Sequence, residues 1–321
     1  MKINYVGKCL LLEENGERVL VIGDLHLGYE GAMRASGVMI PVKLYEKCIA
    51  DFEEIYNYII NNLYGKIIDS KNQKIDAPPP TKVGGLIGAR FLDDRRSDHT
   101  LKSVVLGRND RHNRLVHGRK TGEIGNKLSM EIKGEGEEIR DEENKIDKII
   151  ILGDVKHEFG LILQDEWNKI KRFLEYLRGK CKEIVVIEGN HDTVLFPILQ
   201  KMGIEGVDYY LWKEFVFIHG DKNFKEIEGK EIKYWVLGHG HPAVNLYEGV
   251  KRESYKCFLT GSYRGKKVIL VPSFFPLIAG TDAREFDLTY AWKFNLSNFD
   301  VRVVSEGLKV FDFGKLKDID Y

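Results

Sequence analysis

The chain has 321 residues, 43% hydrophobic and 31% charged, with 49 basic and 49 acidic side chains that cancel. It is long enough to bury a sizeable core, and zero net charge removes any global attraction to nucleic acid, so such attraction must be local. Four scattered cysteines (Cys9, Cys48, Cys181, Cys257) form no CxxC pair. That excludes a disulfide framework or thiolate zinc site and fits a reducing, cytoplasmic setting. The first twenty residues hold only a short apolar patch broken by Glu13 and Glu14. They do not read as a signal peptide, and no stretch approaches the roughly 18 apolar residues of a membrane span.

In chain order, short apolar runs stop repeatedly at glycine or histidine beside a polar group able to bind metal. Val19–Ile22 runs into Gly23-Asp24-Leu25-His26, and Ile149–Leu152 into Gly153-Asp154. Ile184–Ile187 leads to Gly189-Asn190-His191-Asp192, Phe215–Ile218 to His219-Gly220-Asp221, and Tyr234–Leu237 to Gly238-His239-Gly240-His241. Continuous apolar runs of this length predict strands buried on both faces. Leu44–Leu63 and Asp165–Leu177 carry apolar residues at three- and four-residue spacing, which predicts amphipathic helices between strands. Strand–helix alternation predicts a layered α/β fold with its site beyond the carboxyl ends of the strands. After residue 250 the runs 257–260, 268–271, 291–294 and 301–304 predict antiparallel strands completing a sandwich.

The segment 66–146 breaks the rhythm. It contains Pro78–Pro80; residues 81–120 hold ten Lys or Arg against four acidic residues, and 131–144 seven acidic against two basic. It reads as a charged insertion, disordered or a small excursion, within one domain spanning 1–321. Its Arg90, Arg95, Arg96, Arg108, Arg111, Arg114 and Arg119 could contact phosphates; equally, its basic half could pair with its own acidic end.

Three of the nine histidines (His99, His112, His117) lie in the insertion; the other six (His26, His157, His191, His219, His239, His241) all lie in the strand-end motifs. Imidazoles beside carboxylate and amide oxygens suit divalent transition metals, and a carboxylate can bridge two of them. Taken singly the motifs have plainer readings: Asp24 as a turn cap, or Asn190 as the N-cap of a helix over 193–202.

Taken together, D-x-H, G-D, G-N-H-D, a later His and G-H-x-H, in that order, resemble the calcineurin-like metallophosphoesterases. The resemblance covers about residues 1–65 and 147–280. It implies a four-layer α/β/β/α sandwich with a dinuclear metal site at the strand C-terminal ends. Asp24, His26 and His241 would hold one metal, Asn190, His219 and His239 the other, and Asp154 would bridge. His191 would act as acid or transition-state stabiliser, with Asp192 orienting it. With O and N donors, Mn²⁺ is the first choice of metal, and Zn²⁺, Fe²⁺ or Ni²⁺ also fit. His157, in a G-D-x-x-H pattern, resembles the DNA-repair nuclease branch, where this residue lies near the scissile phosphate. Lys156-His157-Glu158-Phe159, Leu270-Val271-Pro272-Ser273-Phe274 and Gly280-Thr281-Asp282 look like the SbcD-related phosphoesterases, whose relatives include the ligase-associated DNA-damage-response endonuclease PdeM. The implied function is a metal-dependent phosphodiesterase of nucleic acid working with DNA-repair proteins. A phosphodiesterase or phosphatase for small nucleotides, and a metal-containing repair scaffold of little activity, are the competing readings.

Overall fold

A computed structural model describes residues 1–40, 43–64, 145–160, 164–229 and 231–319. The charged insertion predicted for 66–146 lies outside these residues, apart from its last two.

Among the described residues, the first sheet runs β1 (Lys2–Val6), β2 (Cys9–Glu14), β3 (Glu17–Ile22), β4 (Ile146–Ile151), β5 (Cys181–Ile187) and β6 (Glu205–Val207), in that spatial order. β1, β2 and β3 are antiparallel hairpin neighbours, whereas β3, β4, β5 and β6 are parallel. The parallel half needs crossovers. These include α1 (Tyr29–Ala35) and α2 (Leu44–Tyr58) before β4, α3 (Gln164–Arg178) before β5, and α4 (Phe196–Met202) before β6. A second sheet holds β7 (Tyr209–Trp212), β8 (Phe215–Ile218), β9 (Tyr234–Leu237), β10 (Pro242–Glu248), β11 (Lys251–Tyr263), β12 (Lys266–Leu270), β13 (Thr281–Asp282), β14 (Asp300–Val304) and β15 (Val310–Lys315). In it β8, β9 and β12 are parallel, and β11 pairs antiparallel with both β12 and β14.

The two-sided burial expected of the apolar runs follows directly from strand geometry, since successive side chains point to opposite faces. Val19, Val21, Ile150, Leu152, Val185 and Ile187 meet Phe215, Phe217, Val236, Phe258, Ile269 and Val271 in one core between the sheets. Their neighbours Leu20, Ile22, Ile149, Ile151, Ile184 and Val186 face outward, under Phe52 and Ile55 of α2 and Ile170, Phe173 and Leu177 of α3. Val216, Ile218, Trp235, Leu237, Leu259 and Leu270 form the outer core of the second sheet. The four buried cysteines are packing residues without disulfides. No helix among the described residues is long and apolar enough to cross a membrane.

The fold class is the mixed α/β sandwich expected, and the details differ in three places. Among the described residues, the layer over the second sheet is built of 3-10 turns and loops (Ile227, Leu288, Trp292, Leu296, Leu316) where an α-helix was expected. Residues 291–294, read as a strand, form no strand. Trp292 and Phe294 both turn onto the sheet's outer face, with Trp292 5.2 Å from Trp235, so the segment lies across the sheet instead of pairing at its edge. Asn190 caps no helix, because α4 begins only at Phe196, after Leu195.

Candidate metal centre

Each polar motif follows the last residue of a strand: β3 releases Asp24 and His26, β4 Asp154, β5 Asn190, β8 His219, and β9 His239 and His241. The chain turns sharply there. His26 (φ 40°), Asp154 (φ 46°), His239 (φ 63°) and His241 (φ 43°) all have left-handed backbone. Such conformations cost on the order of 1–3 kcal/mol each and persist where the surroundings over-determine them. Close approach sets Gly189: a Cβ there would fall 2.2 Å from Asp154 Oδ1 and 2.3 Å from the Asp154 backbone nitrogen.

Among the described residues three groups of donors result, and two of them share Asp154. Asp24, His26, Asp154 and His241 form one, and Asp154, His219 and His239 the other, each with ligand atoms within 4.8 Å of one another. In the first, His26 Nε2 lies 3.2 Å from His241 Nε2, His241 Nε2 3.4 Å from Asp24 Oδ1, and His26 Nε2 3.7 Å from Asp154 Oδ2. In the second, His219 Nε2 is 3.1 Å from Asn190 Oδ1, 3.1 Å from His239 Nδ1 and 3.5 Å from Asp154 Oδ1. Donors about 2.1 Å from a shared ion lie about 3.0–3.4 Å apart, so both groups have spacings close to those a divalent cation needs. Asp154 turns one oxygen to each group.

The protonation of the donors suits a divalent cation. Burial, then the nearby Asp24 and Asp192 carboxylates, pushes the Asp154 carboxyl up to about 9. Burial also raises Asp24, but His241, by charge and by hydrogen bond, outweighs it and brings its pKa below the usual range. Burial holds His26 and His239 down, so these imidazoles are neutral near pH 7 with lone pairs available. Neutral imidazoles and a carboxylate that sheds its proton are a metal's donor set.

Comparison with protein families matches residues 126–306 to the calcineurin-like phosphoesterases. The chain belongs to the calcineurin-like phosphoesterase family. Metal-dependent phosphoester hydrolysis at a dinuclear centre is the chemistry of that family. The matched region leaves out Asp24 and His26, which the fold brings to the same centre. No curated protein matches this chain. Among solved structures, nuclease MPE of Pseudomonas putida is similar at 17% identity, over 55% of this chain and 76% of that one, with TM-score 0.37. Wild-type Vps29 of Entamoeba histolytica complexed with Zn²⁺ is 14% identical over 56% of this chain and 90% of its own, TM-score 0.27. Vps29 of Chaetomium thermophilum is 12% identical over 56% and 86%, TM-score 0.28.

His191 stands beside this phosphoesterase centre. Its backbone N–H donates to Asp154 Oδ1 at 3.0 Å, and its Nε2 lies 3.8 Å from Asp154 Oδ2. Its Nδ1 donates to the backbone carbonyl of His157. Burial lowers its pKa to about 4, against the raising effect of that carbonyl. Asp192, expected to orient His191, does something else. Its buried carboxylate accepts the backbone N–H groups of Val155, Lys156 and Gly189, each at 3.2 Å, and so ties the β4 and β5 loops together. Orientation of His191 passes to the His157 carbonyl, a group that side-chain motifs cannot reveal. His157 itself gathers with His26 and His191, ring centroids 5.5 and 5.8 Å away.

Residues past 283, which carry no motif, also reach the centre. Thr289, with left-handed backbone (φ 57°), places its hydroxyl 3.1 Å from His239 Nε2, on the far side of the ring from Nδ1. The Tyr290 ring underlies Gly240, where a Cβ would fall 2.6 Å from its Cζ. A β-branched residue with positive φ is unusual, but sequence reading offers no signal for it.

Proposed function

We propose that this family member is a two-metal phosphodiesterase of nucleic acid, acting as a DNA endo- or exonuclease with a link to repair. The observation that carries the reading is one carboxylate, Asp154, shared by two donor groups, with a neutral imidazole, His191, at its edge. Asp24, His26 and His241 would hold one ion and Asn190, His219 and His239 the other. Mn²⁺ is the first choice, because the donors are all oxygen and nitrogen. Held there, two divalent ions would supply activation of a water and neutralisation of phosphate charge.

The protein's own groups do the rest. His219 donates from Nδ1 to the Leu152 carbonyl at 2.7 Å, which aims Nε2 at Asn190 and Asp154. His191 is committed at Nδ1, so only Nε2 can serve the reaction. Nε2 would take a proton from solvent water as an anionic diester lies down beside it and pass it to the departing oxygen, a contribution of about 10²–10⁴-fold. His157, beside His191 and His26, and Asn190 contact the scissile phosphate.

The choice of nucleic acid rests on the resemblance to SbcD-related enzymes, and the residues that carry it serve the centre. Ser273 Oγ and the Phe274 N–H donate to the Asp24 carbonyl at 3.1 and 2.9 Å, and the Thr281 N–H donates to the His241 carbonyl at 2.8 Å.

The test strips the protein of metal, restores Mn²⁺, and follows cleavage of end-labelled single- and double-stranded DNA by the wild type and His191→Ala. Cleavage that needs Mn²⁺ and drops at least about 100-fold in His191→Ala is expected. Turnover of a small chromogenic diester with no cleavage of DNA would transfer the centre to small nucleotides.

A further inference from the structure

The loop after β4 carries an aromatic ring in an unusual position. Phe159 is 65% exposed, yet its ring stacks on the His191 imidazole, centroids 3.7 Å apart and planes 30° from parallel. Behind it the stack continues: His157 lies nearly parallel to His191 at 5.8 Å, and Tyr29 meets His157 edge-on at 4.5 Å. One face of Phe159 is therefore taken by His191, while most of the side chain faces solvent.

The placement is held from below. Glu166 of α3, itself buried, accepts the backbone N–H groups of His157 and Glu158 on one oxygen, at 2.9 and 3.1 Å. The His157 carbonyl accepts His191 Nδ1. The two residues before Phe159 are thus tied to a helix and to the site. An apolar ring exposed at such a point gains little by folding, since most of its surface stays in water. It gains when a second flat ring covers it.

We propose that Phe159 is the stacking platform for a nucleobase next to the scissile phosphate, which makes it a substrate-positioning residue. The proposal rests on the nucleic-acid reading above. Every base has a π-face, so the platform would favour bases over abasic backbone without selecting a sequence, and the preference expected is about tenfold at one position.

The test uses the Mn²⁺-loaded full chain and single-stranded oligonucleotides, each with one tetrahydrofuran abasic residue at successive positions around the cleavage site. In the wild type one position should raise KM about tenfold, with kcat little changed. Phe159→Ala and Phe159→Leu should lose that position's penalty, and Phe159→Trp should keep it. Metal counting on each variant checks that the centre is intact. If Phe159→Ala slows every oligonucleotide alike and the abasic penalty survives, the ring only shields His191 and the proposal falls. It falls too if the wild type shows no abasic penalty, while the nuclease reading stands. Wild type that cleaves a small diester but no oligonucleotide overturns both.

Discussion

Asp154 is the residue on which both donor groups depend. In the metal-free protein its carboxyl is raised to about 9, so near pH 7.5 it carries a proton that an arriving cation must displace. Metal affinity should therefore rise with pH up to about 9 and level off above it. Burial already keeps His26 and His239 unprotonated, so they add no competition in that window. Titration of Mn²⁺ in two buffers of different ionisation enthalpy should show proton release at pH 7.5 and little above 9. Asp154→Asn should abolish that release and leave fewer than two bound ions by metal analysis. Its activity should fall by more than the roughly 10–100-fold typical of outer partners of a metal site.

Thr289 belongs to the same scale. If His239 offers Nδ1 to the metal, the Thr289 hydroxyl at 3.1 Å accepts from Nε2–H and fixes the tautomer. Thr289→Val keeps the shape and removes the acceptor. Calorimetric titration should show one of the two ions bound about 10–100-fold more weakly, with Thr289→Ser near the wild type.

At the scale of elements, the centre is a set of strand ends held at contact distance. β4 and β5 are adjacent and parallel, and their loops meet where Gly189 touches Asp154. A methyl group at Gly189 would overlap the Asp154 backbone as well as its carboxylate, so no rotamer change relieves it. Gly189→Ala should destabilise by about 1–3 kcal/mol, seen in denaturant unfolding, and lose bound metal with it. Here sequence reading and structure agree in part. Burial on both faces made β3, β4, β5, β8 and β9 legible, because both faces of each strand are covered and the apolar run is unbroken. The same reading misplaced 291–294, since Trp292 and Phe294 are apolar for a reason other than strand pairing: they cover the face of a sheet. It also passed over β1 and β2, where Glu13 and Glu14 end an otherwise buried run.

For the whole molecule, the two donor groups and the neighbouring Asn190 draw on five strand-end segments from both sheets, which come together only in the folded state. Metal that binds the native chain alone must then stabilise the whole fold. At a free Mn²⁺ concentration 100 times Kd the gain is about 2.7 kcal/mol per site. For a chain of this size that corresponds to a rise in Tm of about 4 °C for one site and about 8 °C for both, and calorimetry before and after chelation should record it. An unchanged Tm would mean that the donors hold no ion.

What the residues determined unaided was the kind of chemistry. Six histidines confined to strand-end motifs, with Asp24, Asp154 and Asn190 among them, point to a metal centre because the order and spacing of such groups survive in one dimension. The tertiary structure alone decided how those groups are divided and supported. Asp154 turns one oxygen to each group, Asp192 binds backbone and leaves His191 alone, the His157 carbonyl holds His191, and Thr289 reaches His239 from fifty residues away. Backbone carbonyls and amides are the same at every position, so a sequence carries no mark of which ones a side chain will meet. Only the packing of two sheets, which fixes the loops against one another, makes that choice.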